Sequence, residues 1–247
     1  MRRVGLWTLA LLGLLALAQQ FTGDYRTHDP SLIRAGNTLY VFSTADATPG
    51  AGGIQLRASQ DGKNWKYLGT LFADLPAWIV KEVGFVPNLW APDISYWNGK
   101  YHLYYAASTF GSQDSAIGLA TNVTLDPKNP NYKWVDQGMV LRSSPSDSFN
   151  AIDPNFVRDA KGQPWLVWGS YWDGIRLHRL DAATGKLAKG ASSTGWLRGA
   201  VGPSRLRESS TETATTIFSS HSTLAARGWT APTTSAWAAP KPSPVPT

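Results

Sequence analysis

The chain has 247 residues, 43% hydrophobic and 16% charged, with 12 Trp, 9 Tyr, 8 Phe and no Cys. That length and aromatic content suffice for a real core and exclude a largely disordered chain; the lack of Cys excludes a disulfide scaffold, a thiolate metal site and a Cys nucleophile. The net charge of +6 is no sign of nucleic-acid binding, because residues 19–189 hold 16 Lys plus Arg against 15 Asp plus Glu and the excess sits at the two ends, leaving the body without a basic face for phosphates.

Residues 1–18 read as a signal peptide. Arg2 and Arg3 form its basic start, residues 4–15 are almost wholly apolar, and Ala16-Leu17-Ala18 fits a small-x-small cleavage site. The apolar run is short for a membrane span of about 20 residues, so no stable membrane anchor is expected. The mature chain is expected to begin near Gln19 and to work outside the cytoplasm, secreted or periplasmic.

Residues 19–191 carry a repeat. The segments 36–43, 99–106 and 162–169 each open on glycine (Gly36, Gly99 and Gly162, spaced 63 and 63) and run into a strand of β-branched and aromatic residues. Ahead of each lies an acidic residue beside proline: Asp29-Pro30, Pro92-Asp93 and Asp153-Pro154. A strand-rich repeat of this length predicts an all-β fold built of β-propeller blades with four strands each. Residues 59–65 predict a hairpin turn inside the first blade. The innermost strands of a propeller converge on its axis, so equivalent acidic residues are expected to meet in one cleft. The plainer reading is that Asp-Pro only starts turns; three pairs in register with the repeat favour the cleft.

Carboxylates around an aromatic-rich cleft suit sugar chemistry. Ring faces stack on the apolar faces of sugars, and a carboxylate pair supplies the general base and general acid of glycoside hydrolysis. The acid must keep its proton, through burial or a neighbouring negative charge. Sugar binding without turnover, or divalent metal binding, would use the same residue types.

The segments 27–31, 90–94, 104–111, 115–118, 150–154 and 168–172 resemble, in order, those of the arabinan endo-1,5-α-L-arabinosidases of glycoside hydrolase family 43. The resemblance covers about residues 23–187. It implies a five-bladed β-propeller that hydrolyses α-1,5-linked arabinan or arabino-oligosaccharide with inversion. Asp29 then matches the general base, and Asp153 the carboxylate that orients the general acid and raises its pKa. Substrate contacts carry over to Gly111, Asn150, Ala151, Ile152, Ser170, Tyr171 and Trp172. Trp90 and Phe110 are candidate stacking platforms, Trp90 with core packing between blades as an equal alternative. His28 either orients Asp29 or packs beside it, and Asp93 is expected to cap a turn or support the cleft. No cofactor is implied for the chemistry; a structural calcium ion is an expectation of the resemblance only. A monomer without nucleic-acid partners is expected. The alternatives are a related exo-acting arabinofuranosidase or xylosidase, and a catalytically inactive polysaccharide-binding protein.

Residues 192–247 change character. Tyr is absent after Tyr171 and Asp after Asp181, while Ser, Thr, Ala and Pro dominate. The resemblance places the general acid, a Glu, some fifty residues after Asp153. Glu208 is near that distance, but its neighbours Arg207, Ser209 and Ser210 do not match, and the acid is not assigned. Residues 214–219 and 229–238 are what two later strands of the family would give if read one base late, which suggests out-of-frame translation; sequencing the coding DNA decides it. About three blades of five are then expected, with an unclosed ring, poor folding and little activity.

Overall fold

The computed structural model describes residues 21–46, 53–170, 172–190 and 194–197, all within one compact unit. The expected signal peptide, the segment from 198 onward and Tyr171 lie outside the described residues. Among those described, no helix is long and apolar enough to cross a membrane.

Among the described residues, thirteen strands form three sheets. The first contains β1 (Thr22–Gly23), β2 (Ser31–Ala35), β3 (Thr38–Ser43), β4 (Gln55–Ser59) and β5 (Asn64–Thr70), in the order β1-β5-β4-β3-β2. The second is the meander β6 (Leu89–Trp97), β7 (Lys100–Ala107), β8 (Ser115–Asn122) and β9 (Val135–Ser143); the third is β10 (Asn155–Arg158), β11 (Pro164–Trp168), β12 (Ile175–Arg179) and β13 (Thr194–Leu197). β2 to β5, β6 to β9 and β10 to β13 are thus three antiparallel four-stranded units in chain order, as the repeat predicts. β1 extends the first unit by pairing parallel to β5. A short helix, α1 (Ala77–Glu82), crosses between the first two units and buries Ile79.

The core is divided between the units. One cluster joins Tyr40, Phe42, Ile54 and Leu56 of the first sheet to Leu89, Ile94, Leu103 and Tyr105 of the second. Another joins Tyr104, Ile117, Leu119 and Leu141 of the second to Leu166 and Trp168 of the third. Successive strand residues point to opposite faces, so Tyr104 and Tyr105 serve different clusters although they are neighbours. A sheet covered on both faces needs apolar residues at every position rather than alternation. β8 accordingly is buried along its whole length.

The innermost strands β2, β6 and β10 lie side by side, with β6 in contact with both others. Asp93, on β6, accepts a hydrogen bond from Ser31 Oγ on β2 (3.1 Å) and one from the Phe156 N–H on β10 (2.6 Å). Trp97 of β6 stacks on Phe156, with centroids 5.4 Å apart.

This geometry corrects the alignment of the acidic residues. Equivalent places are marked by Pro30, Pro92 and Pro154, spaced 62 and 62, each preceded by a non-glycine residue in the left-handed region: Asp29 (φ 51), Ala91 (φ 38) and Asp153 (φ 53). The middle unit therefore carries Ala91 where its neighbours carry aspartate. Asp93 aligns with Ser31 and Asn155, and its carboxylate serves the contacts between sheets, not the cleft. In β6 the Ala91-Pro92 pair is taken up as a bulge, where pairing with β7 shifts register between Trp90 and Asp93.

Candidate active site

A cleft of 1310 Å³ opens where the three units meet. The first supplies Arg26, Thr27, His28, Asp29, Thr44, Asp46, Gln55 and Arg57; the second Asn88, Trp90 and residues 108–112; the third Asn150, Ile152, Asp153, Ser170 and Trp172. Both aspartates singled out from the sequence thus face one space, although 124 residues separate them.

Each aspartate is presented by its backbone. A left-handed φ at a non-glycine residue costs about 1–3 kcal/mol and persists only where surrounding structure imposes it. A matching bond braces each turn: Thr44 N–H donates to His28 O (3.0 Å) in the first unit, and Gly169 N–H donates to Ile152 O (2.8 Å) in the third.

The two carboxylates have different surroundings. Asp29 Oδ2 accepts a hydrogen bond from Thr44 Oγ1 at 2.6 Å and lies 3.2 Å from His28 Nδ1. Among the described residues none donates to the Asp153 carboxylate. Asp153 is open to the cleft but crowded by protein. That crowding raises its pKa, the negative charge of Asp29 raises it further, and His28 opposes the rise. The structure therefore couples the two aspartates electrically.

Aromatic side chains rim the cleft. Phe110 is 99% exposed, at the tip of a turn in which Ser112 N–H donates to Thr109 O and Gly111 supplies the required positive φ of 78°. Trp172 is half-exposed and also left-handed, with φ 60°. Trp90 is partly buried; its indole N–H donates to Asn88 Oδ1 (3.1 Å), and Asn88 in turn donates to Ala45 O (2.5 Å). Trp90 thus faces the cleft while being held from behind.

Other expected contact residues act at one remove. Asn150 is buried and its Oδ1 accepts the Ser170 N–H (3.2 Å). Ala151 is wholly buried, its N–H donates to Ser143 Oγ (2.8 Å), and it does not line the cleft. With Asp173 N–H on Ser148 O (2.8 Å), these bonds stitch the loop bearing Ser170 and Trp172 to the segment leading into Asp153.

Sequence reasoning missed Thr44, Asn88 and a chain of polar groups on the floor. The buried Arg57 donates to Asp24 (3.0 Å), to Ser43 Oγ (3.2 Å) and to Gln55 Oε1 (2.9 Å), and Gln55 donates to Asp46 (2.8 Å). The available signal was alternation: Gln55, Arg57 and Ser59 take every second place in β4, and Ser43 closes the apolar run of β3. As for a metal, among the described residues no three His, Asp or Glu side chains converge to hold an ion. A calcium ion remains an expectation of the resemblance, and no step is routed through a metal.

A family model of glycosyl hydrolases family 43 matches residues 22–211. The extracellular exo-α-(1→5)-L-arabinofuranosidase ArbA of Cellvibrio japonicus is 40% identical over 177 residues, 71% of this chain and 49% of that protein. The extracellular endo-α-(1→5)-L-arabinanase 1 of Bacillus subtilis is 42% identical over 160 residues, 64% of this chain and 48% of that one. Among solved structures, the family 43 endo-arabinanase from Bacillus licheniformis superposes with a TM-score of 0.64 at 44% identity, covering 70% of this chain and 57% of that one. The α-L-arabinanase of Cellvibrio cellulosa complexed with arabinohexaose gives 0.64 at 39% identity, covering 69% and 53%. The chain belongs to glycosyl hydrolase family 43, and it spans about half the length of the curated relatives it matches.

Proposed function

We propose that this chain derives from a secreted arabinan hydrolase that cleaves α-1,5-L-arabinofuranosidic bonds with inversion. The observation that carries the reading is the meeting of Asp29 and Asp153 in one cleft rimmed by Trp90, Phe110 and Trp172. Asp29 is the general base: anchored on one oxygen, it takes a proton from the water that attacks the anomeric carbon. Asp153 orients the acid side of the reaction, its negative charge favouring the protonated form of a neighbouring carboxyl. Trp90, Phe110 and Trp172 stack on sugar rings, while Asn150 and Ile152 hold Ser170 and Gly169 by hydrogen bonds. The basic and apolar start of the chain, together with the extracellular relatives, supports secretion.

The general acid is unassigned, and turnover of unactivated arabinan is expected to be slow. Glu82 is the one glutamate among the described residues; it pairs with Arg142 at 3.3 Å and does not line the cleft. This favours, as a second reading, sugar binding without turnover. Reducing-sugar release from linear arabinan, run beside electrophoresis in arabinan gels, separates the two. Release that disappears in Asp29→Ala supports hydrolysis; retardation without release supports binding alone; neither effect sinks both.

A further inference from the structure

Thr44 stands at the junction of the first two units. Its hydroxyl accepts a hydrogen bond from the Ala91 N–H at 2.8 Å and lies 2.6 Å from Asp29 Oδ2. An N–H can only donate, so the Ala91 bond occupies a lone pair of the hydroxyl and leaves its hydrogen for the carboxylate. Thr44 is itself fixed by its own N–H on His28 O. The hydroxyl therefore has one direction in which to donate, and Asp29 Oδ2 lies there. His28 Nδ1 approaches the same oxygen. Both protein contacts fall on Oδ2, and Oδ1 has no partner among the described residues.

The third unit provides an internal comparison. Its residue at the corresponding brace is Gly169, which has no hydroxyl, and Asp153 has no such anchor. The two aspartates share a backbone position but only one is held by a side chain.

We infer that Thr44 is a positioning residue for Asp29: it ties down Oδ2 and leaves Oδ1 to accept the proton of the attacking water. The inference rests on the hydrolytic reading of the cleft. An activated substrate tests it without a general acid. In the 2,4-dinitrophenyl glycoside of α-1,5-linked arabinotriose, a proton of water passes to Oδ1 and the water oxygen forms the new bond to the anomeric carbon. The dinitrophenolate departs as an anion with the electron pair of the broken bond.

The full chain is compared with Thr44→Val, which keeps the shape and loses the hydroxyl, with Thr44→Ser, which keeps the hydroxyl, and with Asp29→Asn. Thr44→Val is expected to lower kcat at least about tenfold, as loss of one hydrogen bond of roughly 1.4 kcal/mol would, with KM within about twofold. Thr44→Ser is expected to recover kcat to within about threefold. A general loss of fold would move both variants and KM together. Crystal structures of the two Thr44 variants give a second readout, in which the Asp29 carboxylate turns in Thr44→Val and not in Thr44→Ser. Equal kcat in Thr44→Val and the parent, or an unmoved carboxylate in Thr44→Val, overturns the inference. Absence of Asp29-dependent turnover in the parent chain sinks the hydrolytic reading instead, and the crystal structures then decide the role of Thr44 alone.

Discussion

The Asp93 carboxylate accepts a hydrogen bond from the Ser31 hydroxyl at 3.1 Å, across 62 residues of chain. Its other oxygen accepts the Phe156 N–H at 2.6 Å. Ser31 lies two residues after Asp29 and Phe156 three after Asp153, so one side chain on the central strand joins the two strands that present the cleft carboxylates.

Asp93→Ala is expected to destabilise the chain by about 3 kcal/mol, since it removes charge-assisted bonds and leaves a partly buried N–H unpaired. Ser31→Ala, which removes this donor and also the acceptor of the Ile94 N–H at 3.1 Å, is expected to cost about 1–3 kcal/mol. Urea unfolding of both single variants and the double variant checks this. The double variant should lose less than the sum of the singles, because both remove the same bond.

Gly118 is a steric test of the central unit. It lies in β8, and a Cβ built there would come within 2.4 Å of Cζ and 2.6 Å of the hydroxyl oxygen of Tyr105. Tyr105 is wholly buried and donates to Asp136 Oδ1 at 3.1 Å, so it cannot swing away cheaply. Gly118→Ala is expected to lower stability by about 1–3 kcal/mol, seen as a lower unfolding midpoint. Relief by the second change Tyr105→Leu, which removes the ring carbons in contact, would confirm the cause.

His102 predicts an acid-sensitive fold. Burial lowers its pKa from 6.5 to about 4, and its ring stacks on Trp97 with centroids 4.1 Å apart. The unfolded chain binds a proton here near pH 6.5 and the folded chain resists one until near pH 4. The unfolded state thus holds more protons in that window, and stability falls as pH drops from about 6.5 to about 4. The loss is about 2–3 kcal/mol. His102→Phe keeps a stacking ring without titrating and should flatten this part of the profile, measured by denaturant unfolding at a series of pH values.

Asp153 predicts a sign opposite to that of most paired carboxylates. Its pKa is raised by crowding and by Asp29, so the folded chain holds this proton to higher pH than the unfolded chain does. Its contribution to stability is complete below the unfolded value and declines as pH rises through the folded one. Asp153→Asn is therefore expected to be more stable than the parent at neutral pH while losing function. Asp29→Asn should move the Asp153 titration, followed by carboxyl carbon NMR, to lower pH; an unchanged midpoint would show that the two carboxylates do not interact.

Much of this was legible in the residues. The glycines at 36, 99 and 162 and the strands behind them marked three units, because turn residues and β-branched or aromatic runs report local geometry. Asp29 and Asp153 were legible for the same reason: each sits beside a proline that opens a repeated strand. Asp93 was legible as an acidic residue near proline but was set in the wrong register, because aspartate was matched to aspartate; the even spacing of Pro30, Pro92 and Pro154 puts Ala91 in that place. Helix α1 was not expected, since six residues offer too little periodicity to read.

The chain by itself determined the repeat, the two carboxylates and the aromatic supply of the cleft, because these depend on residue type and spacing along the backbone. Only the tertiary structure decided which groups surround each carboxylate. Thr44 reaches Asp29 across 15 residues, and Ala91 reaches Thr44 from another sheet across 47. Such bonds depend on how neighbouring units twist and pack, and that is set by the shared cores around Tyr105 and Tyr104 rather than by local sequence. The same packing left Asp29 an anchored carboxylate and Asp153 a crowded one.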